Sequence, residues 1–499
     1  MKKIMYFFAA FVFTCSQAFA NNIQISNVTT SGNNITFDIS WENSWNSMNN
    51  IDLNYPNNWD AAWVFIKVQS STNNLWLHQL VSTNAANHSI TGGVLQIDAV
   101  TDGVGVFIRR SSPGYGNVSA TATLAMQTLP SGTLNFKAFG IEMVRTNTGN
   151  FGVNDSTTGF NRFLSYNVSN ATIPASALFV GSPTLANTYP TGYAAFYAAK
   201  YESTNEQVVD YLNCLTYDQQ ANLTDVAPNS VVGTKAYNPG GYAASNYIKI
   251  LTPGVNNTSP AVYGCDFNAN LIFNDPTDGQ NTACAMFTVR RAISFLDWSG
   301  LRPMTEMEYE KLCRGTKFNG QANPRVIGEY PWGTTEFYNY NAANLSFTGT
   351  DTERVDAPVI NGRCISYSLN AGYYPARVGQ FAQNATGRAS SGAGFYGNMD
   401  LAGNVWEIVV GVNATSNPIT ITSLGDGNVN PAAGPTNGDG NQPNWSNYAA
   451  PTYWGLKGGS WWETTYYNVY TQVSDRQTVP LSPSSLITTS IHTGVRGVR

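Results

Sequence analysis

The residues best suited to chemistry lie close to the C-terminus. Trp461, Trp462, Tyr466, Tyr467 and Tyr470 crowd around Glu463, Asn468 and Arg476, with Ser460 leading the run. Aromatic anchors with a few polar groups among them are the usual content of a binding hot spot. The competing reading is that alternate rings pack inward and only some face solvent. Metal and thiol chemistry find less support. The three histidines, His78, His88 and His492, are too scattered for a three-histidine iron site. No cysteine belongs to a Cys-x-x-Cys pair, so nothing supports a zinc ribbon or a thioredoxin-like centre.

A chain of 499 residues, 42% hydrophobic and 13% aromatic, has ample material for buried cores. Its charged fraction of 11% is far below the usual quarter, and Asn, Ser, Thr and Gly fill the gap, as in an extracellular, loop-rich protein. A net charge of −5 with no basic stripe gives no electrostatic reason for a nucleic-acid partner. Residues 1–20 read as a bacterial secretory signal: Lys2 and Lys3, an apolar Met5 to Phe13, then Ala18-Phe19-Ala20 as cleavage site. No later segment is apolar for long enough to cross a bilayer. The expected location is periplasmic, surface-exposed or secreted. Cys214, Cys265, Cys284, Cys313 and Cys364 remain after cleavage. Cys265 and Cys284 could close a loop in an oxidising compartment, or all could be buried free thiols.

The elements that must position these residues fall into two parts. Residues 21–172 read as an all-β, sandwich-like domain. Ile35 to Trp41 alternates with period two, and Trp63 to Val68, Val104 to Ile108, Thr121 to Met126 and Leu134 to Val144 are further strands between Gly- and Pro-rich turns. Trp41, Trp45, Trp59 and Trp63 resemble carbohydrate-stacking residues, but their strand positions favour the core. A linker is expected at 173–182, followed by an α+β domain over 183–499. Helices are expected from a capping-box start at Ser203 to Glu206, over Thr282 to Trp298, and from Thr305, with Glu308 three residues on, to Gly315. Gly425 to Asn444 reads as an exposed loop.

Several motifs carry a family resemblance. In order they are Leu301-Arg302-Pro303-Met304-Thr305-Glu306-Met307-Glu308-Tyr309-Glu310, Tyr330-Pro331-Trp332-Gly333, Asn341-Ala342-Ala343-Asn344, Val378-Gly379-Gln380-Phe381, Tyr396 to Glu407 with its Gly403-Asn404-Val405-Trp406-Glu407 core, Gly458-Gly459-Ser460-Trp461, and Gly497-Val498-Arg499. Together they resemble the formylglycine-generating enzymes, or sulfatase-modifying factors. The resemblance covers residues of about 180–499 and implies a C-type-lectin-like fold with little regular secondary structure. Residues 21–172 lie outside it.

The resemblance also implies sites. Family members hold a structural calcium around Gly-Asn-x-Trp-Glu, which carries over to the Asp400 and Glu407 side chains and the Gly403 and Val405 carbonyls. Hard oxygen ligands on a turn suit that ion. A second family calcium would begin at Asn344 and Leu345, but its downstream ligands do not map cleanly onto Thr350 to Asp356. The family oxidises a substrate cysteine with copper held by two cysteines, three and eight residues after the Gly-Gly-Ser serine. Here those positions are Glu463 and Asn468. Copper(I) selects soft sulfur, which neither a carboxylate nor an amide supplies.

The expected function is therefore binding without oxidase chemistry: an exported protein of the bacterial envelope, of a kind seen in Bacteroidetes, that holds a peptide, glycan or protein at Ser460, Trp461, Trp462, Glu463, Tyr466, Tyr467, Asn468 and Arg476. Association with motility or secretion machinery is in keeping with that. Two alternatives stand beside it. One is a metal- or oxygen-dependent enzyme of the same superfamily. The other is a hypervariable ligand-binding protein of a diversity-generating retroelement, with Trp462 to Thr471 and Ser485 to His492 as variable segments.

Overall fold

A computed structural model describes residues 23–499 except 49–55, 156–161, 239–246, 257, 317–324, 341–343, 367–373, 384, 386, 415–419, 444, 446–452, 464 and 480–491. The expected signal peptide, the first three residues of the Asn341 motif and all of Ser485 to His492 but its last residue lie outside the described residues. The chain is β-rich, with several sheets and few helices.

Nine strands build the N-terminal part: β1 (Gln24–Ser31), β2 (Asn34–Asn46), β3 (Asp60–Ser70), β4 (Trp76–Gln79), β5 (Ser89–Thr91), β6 (Leu95–Ala99), β7 (Val106–Arg110), β8 (Gly114–Ala125) and β9 (Leu134–Arg145). One sheet has the order β1-β2-β8-β5, and a second contains β9-β3-β7-β6 with β4 also on β3. Alternation puts Ile35, Phe37, Ile39 and Trp41 of β2 inward, against Ala62, Val64 and Ile66 of β3. The packing is that of two sheets face to face around one core.

β3 is the pivot of the fold. Its run Ala61-Ala62-Trp63-Val64-Phe65-Ile66 is apolar on both faces and wholly buried. The even-numbered residues fill the sandwich, and Ala61, Trp63 and Phe65 enter the large core that belongs to the rest of the chain. Lys67, on that second face, donates to the Trp298 carbonyl at 2.6 Å. The four tryptophans are packing residues: Trp41 and Trp63 are buried, Trp45 faces Lys200, and Trp59 lies between the guanidiniums of Arg109 and Arg145.

The sheet does not stop at residue 172. β9 pairs with Tyr197–Ala199, which pairs with Gly497–Val498, which pairs with Arg302–Pro303. The expected linker is likewise packed. Ile173 and Leu178 are buried in the large core, and Ile173 exchanges backbone hydrogen bonds with Leu185 at 3.0 and 2.9 Å. A segment rich in small and apolar residues reads as a linker only until those apolar residues find a core.

Four helices carry the site's scaffold: α1 (Asn205–Leu212), α2 (Tyr217–Leu223), α3 (Val289–Trp298) and α4 (Glu306–Arg314). α1 starts from Thr204 with Gln207 closing its capping box. α4 follows its expectation: Thr305 caps it, Glu308 closes the box, and Gly315 ends it at φ 75°. α3 begins later than expected, because Ala283 bridges to Thr204 and Met286 has φ 71°, so Thr288 becomes the cap. The expected loop at Gly425 to Asn444 is partly buried: Asp439 pairs with Arg290 at 2.5 Å, and the Gly438 carbonyl accepts from Ser294.

Candidate binding site around the Gly-Gly-Ser-Trp segment

Gly458 and Gly459 place the site. Both have positive φ, 95° and 74°. A Cβ on Gly458 would lie 2.8 Å from the Leu401 carbonyl oxygen, and one on Gly459 would lie 2.9 Å from the Thr471 methyl. Only glycine accepts that conformation and approach together. The strand Trp454–Lys457 enters this turn paired with the strand Trp406–Val410. Two more backbone bonds lock the motifs to each other: Gly403 N–H to the Gly458 carbonyl and Trp461 N–H to the Asn404 carbonyl, each 2.8 Å.

Glu463 sits at the centre. Its Oε1 accepts from Trp406 Nε1 at 2.6 Å and from Ser460 Oγ at 2.8 Å. Burial raises its carboxyl above the usual range, and these two donors oppose the rise. Beside it Trp406 meets Tyr470 at 5.4 Å between ring centres, and Tyr470 meets Tyr466 at 6.2 Å. Tyr466 has φ 58° and heads the short helix Tyr467–Tyr470, with its ring 63% exposed. Tyr467 stacks on Phe337 at 6.0 Å, and the Asn468 carbonyl accepts from Tyr330 Oη at 2.9 Å while Asn468 itself is exposed. The surface is an aromatic shelf with one anchored carboxylate and one free amide.

Three of the expected contact residues do not belong to the shelf. Ser460 is fully buried, its hydroxyl donating to Glu463. Trp461 is buried, its ring 5.2 Å from that of the half-buried Trp462. Arg476 is also buried. Its Nε and Nη2 bind Glu306 at 2.7 and 2.8 Å, Nη2 also reaches the Val412 carbonyl at 2.7 Å, and the guanidinium lies 4.1 Å from the Phe163 ring centre. A charge in the core must be paired, and here the partner comes from the first turn of α4. Arg476 is therefore a strut, not a ligand contact. Trp406, Phe337 and Tyr330 support the shelf rings from distant segments, the first and last of them buried, and no local pattern near Ser460 could reveal them.

No sulfur lies where the resemblance would put copper. All five cysteines after the expected cleavage site are free and buried, including Cys265 and Cys284. Burial pushes the Cys214 thiol up to about 11 and the Cys364 thiol up to about 12. At neutral pH these are thiols rather than soft anionic ligands.

The carboxylates behind the shelf form a second group. Glu407 Oε1 accepts from Arg496 Nη2 at 2.6 Å and Nε at 2.8 Å. Its Oε2 is buried without a hydrogen-bond partner. Asp400, at φ 57°, accepts from Gly379 N–H at 2.6 Å through Oδ2. Glu202, which sequence reasoning missed, accepts from Asn404 Nδ2 at 2.5 Å and Val405 N–H at 3.0 Å. Burial raises all three carboxyls; neighbouring carboxylates add to the rise at Glu202 and Glu407, Arg496 opposes it at each, and the Gly379 N–H opposes it at Asp400. Among the described residues no group of three or more His, Cys, Asp or Glu side chains is arranged to hold a metal ion. A cation here would rest on the orphaned Glu407 oxygen, Asp400 and backbone carbonyls. Oxygen-only donors of this kind are the type a hard ion such as calcium takes.

Compared with protein-family models and with curated proteins, the sequence matches none of them.

Proposed function

We propose that this is an exported bacterial envelope or surface protein whose C-terminal part is a formylglycine-generating-enzyme-like domain used for binding, not for oxidation. The ligand, a peptide, glycan or protein segment, seats on Trp462, Tyr466, Tyr467 and Tyr470, with Glu463 and Asn468 as polar anchors. The observation that carries this reading is the state of Glu463. It stands where the resembled enzymes have a copper-binding cysteine, and Trp406 and Ser460 hold its carboxylate in place. An anchored carboxylate offers a hydrogen-bond acceptor to a ligand and has no redox chemistry of its own. The knitting of the distant motifs supports the same reading: Gly403 to Gly458, Asn404 to Trp461 and Glu407 to Arg496.

Calcium, where bound, would be held by Asp400, Glu407 and the carbonyls of Gly403 and Val405. It would supply positive charge that stiffens the turn under the shelf. The chain's own residues do the rest: Glu202 fixes Asn404 and Val405, and Arg496 fixes Glu407.

The test has two arms. A Cys-x-Pro-x-Arg peptide is incubated with the protein, copper(I) and oxygen, and its mass is followed beside an active family enzyme. No aldehyde is expected. Glycan and peptide arrays are then probed with the wild type and with Tyr466→Ala and Glu463→Gln. Aldehyde formation, or array binding that both variants leave intact, would overturn the reading.

A further inference from the structure

The shelf carries a charge that nothing in the chain completes. Trp406 Nε1 and Ser460 Oγ both donate to Glu463 Oε1, at 2.6 and 2.8 Å, and so fill the lone pairs of one oxygen. Among the described residues the other oxygen, Oε2, accepts nothing, and unlike the orphaned Glu142 and Glu407 oxygens it is not sealed in the core. The charged group that acts on Glu463 is another acid, Asp475, and no cation does. Tyr470 lies near enough for the Glu463 charge to act on its phenol, and Tyr466 meets Tyr470 at 6.2 Å with its own ring exposed. Among the described residues no cation lies over either tyrosine ring.

Elsewhere the chain shows what completes such a site. Lys200 Nζ pairs with Glu142 at 2.9 Å and lies 4.9 Å from the Trp45 ring centre and 5.4 Å from that of Tyr201. An ammonium placed between a carboxylate and ring faces draws on both attractions. The shelf has the carboxylate and the rings without the ammonium. Its geometry also selects among cations. A guanidinium fork binds a carboxylate through both oxygens, and here Oε1 is already occupied. A quaternary ammonium has no N–H to donate to Oε2. A primary ammonium needs only one open oxygen, and its methylene stem can lie along the tyrosine rings.

We infer that the shelf takes a lysine side chain of a peptide, its ammonium on Glu463 Oε2 and its stem against Tyr466 and Tyr470. The exposed Asn468 amide, donor and acceptor at once, is left to meet the peptide backbone. A neutral glycan offers neither the charge nor the flexible stem. The inference rests on the reading of the shelf as a binding site and narrows its ligand to one chemistry.

The test is a saturation-transfer NMR titration of the full chain with the end-blocked peptide Gly-Gly-Lys-Gly-Gly in neutral buffer. Counterparts carry norleucine, Nε-acetyl-lysine or arginine in place of the lysine. The lysine peptide should bind at least about tenfold more tightly than the norleucine and acetyl-lysine peptides, a difference of roughly 1.4 kcal/mol, and more tightly than the arginine peptide. Transfer should be strongest at the lysine methylenes. Glu463→Gln keeps an acceptor for Trp406 and Ser460, so it should fold, and it should remove the preference for lysine over norleucine. Tyr466→Ala, at an exposed ring, should weaken the lysine peptide without lowering the melting temperature. Equal binding of lysine and norleucine, arginine at or above lysine, no binding of the lysine peptide, or a lysine preference that survives Glu463→Gln would overturn the inference. Array capture of glycans or lysine-free peptides that Glu463→Gln abolishes would keep the shelf as a binding site and remove lysine as its ligand. Blank arrays together with an unbound lysine peptide would remove both.

Discussion

Arg476→Met separates a strut from a ligand contact. The guanidinium makes two bonds to Glu306 and one to the Val412 carbonyl, and both charged side chains are almost fully buried. Removing it leaves the Glu306 carboxylate in the core with only the Val412 N–H at 2.5 Å for company. Breaking a buried pair from one side costs about 3–5 kcal/mol, most of it the uncompensated charge. The continuous sheet from β6 to Arg302–Pro303 argues that the two parts unfold together. With about 2.1 cal/mol/K of unfolding entropy per residue, the 499-residue chain has about 1 kcal/mol/K, so the melting temperature should fall by about 3–5 °C. Adding Glu306→Leu should recover part of that loss, because the second change removes the stranded charge. Differential scanning calorimetry of the single and double variants reads both numbers. An unchanged melting temperature in Arg476→Met together with lost ligand binding would refute this account and return Arg476 to the shelf.

Other outcomes follow from the same geometry. Adding calcium to chelator-treated protein should raise the melting temperature as the logarithm of its concentration, and Glu407→Gln should abolish that increment; no calcium response in the wild type would remove the ion from the Asp400–Glu407 turn. Tyr466→Ala should change stability by no more than about 0.5 kcal/mol, because the ring is exposed, yet it should reduce ligand capture on arrays. The raised carboxyl of Asp210 gives a pH signature in stability. The folded state holds that proton more tightly than the unfolded state, so its contribution is present below the unfolded pKa and is lost as pH rises through about 7. Asp210→Asn should therefore match the wild type near pH 4 and exceed it at pH 8 in denaturant melts; a constant difference across that range would contradict the carboxyl raised by burial and by Glu206.

Local signals were legible wherever the chemistry is local. The Thr305–Glu308 capping box and Gly315 stop define α4, because both bonds of the box close within one turn. The alternation of Ile35 to Trp41 marks β2, and the unbroken apolar run of β3 marks a strand covered on both faces. What covers its second face was not legible, since Trp63 donates to the Ser299 carbonyl 236 residues away. The packing of residues 173–182 was hidden for the same reason: nothing in that segment states that Ile173 and Leu178 have a core to enter.

At the shelf, sequence alone determined that Glu463 and Asn468 offer oxygen and nitrogen but no sulfur, and that Gly458 and Gly459 free the turn before them. Residue identity settles which donor atoms exist, and no fold can turn a carboxylate into a soft sulfur ligand. Only the tertiary structure decided which aromatic rings face solvent, that Trp406 holds Glu463, and that Arg476 is spent on Glu306, 170 residues away. Burial and charge pairing are properties of distance in space, and residues so far apart along the chain meet only when the sheets and helices between them have packed.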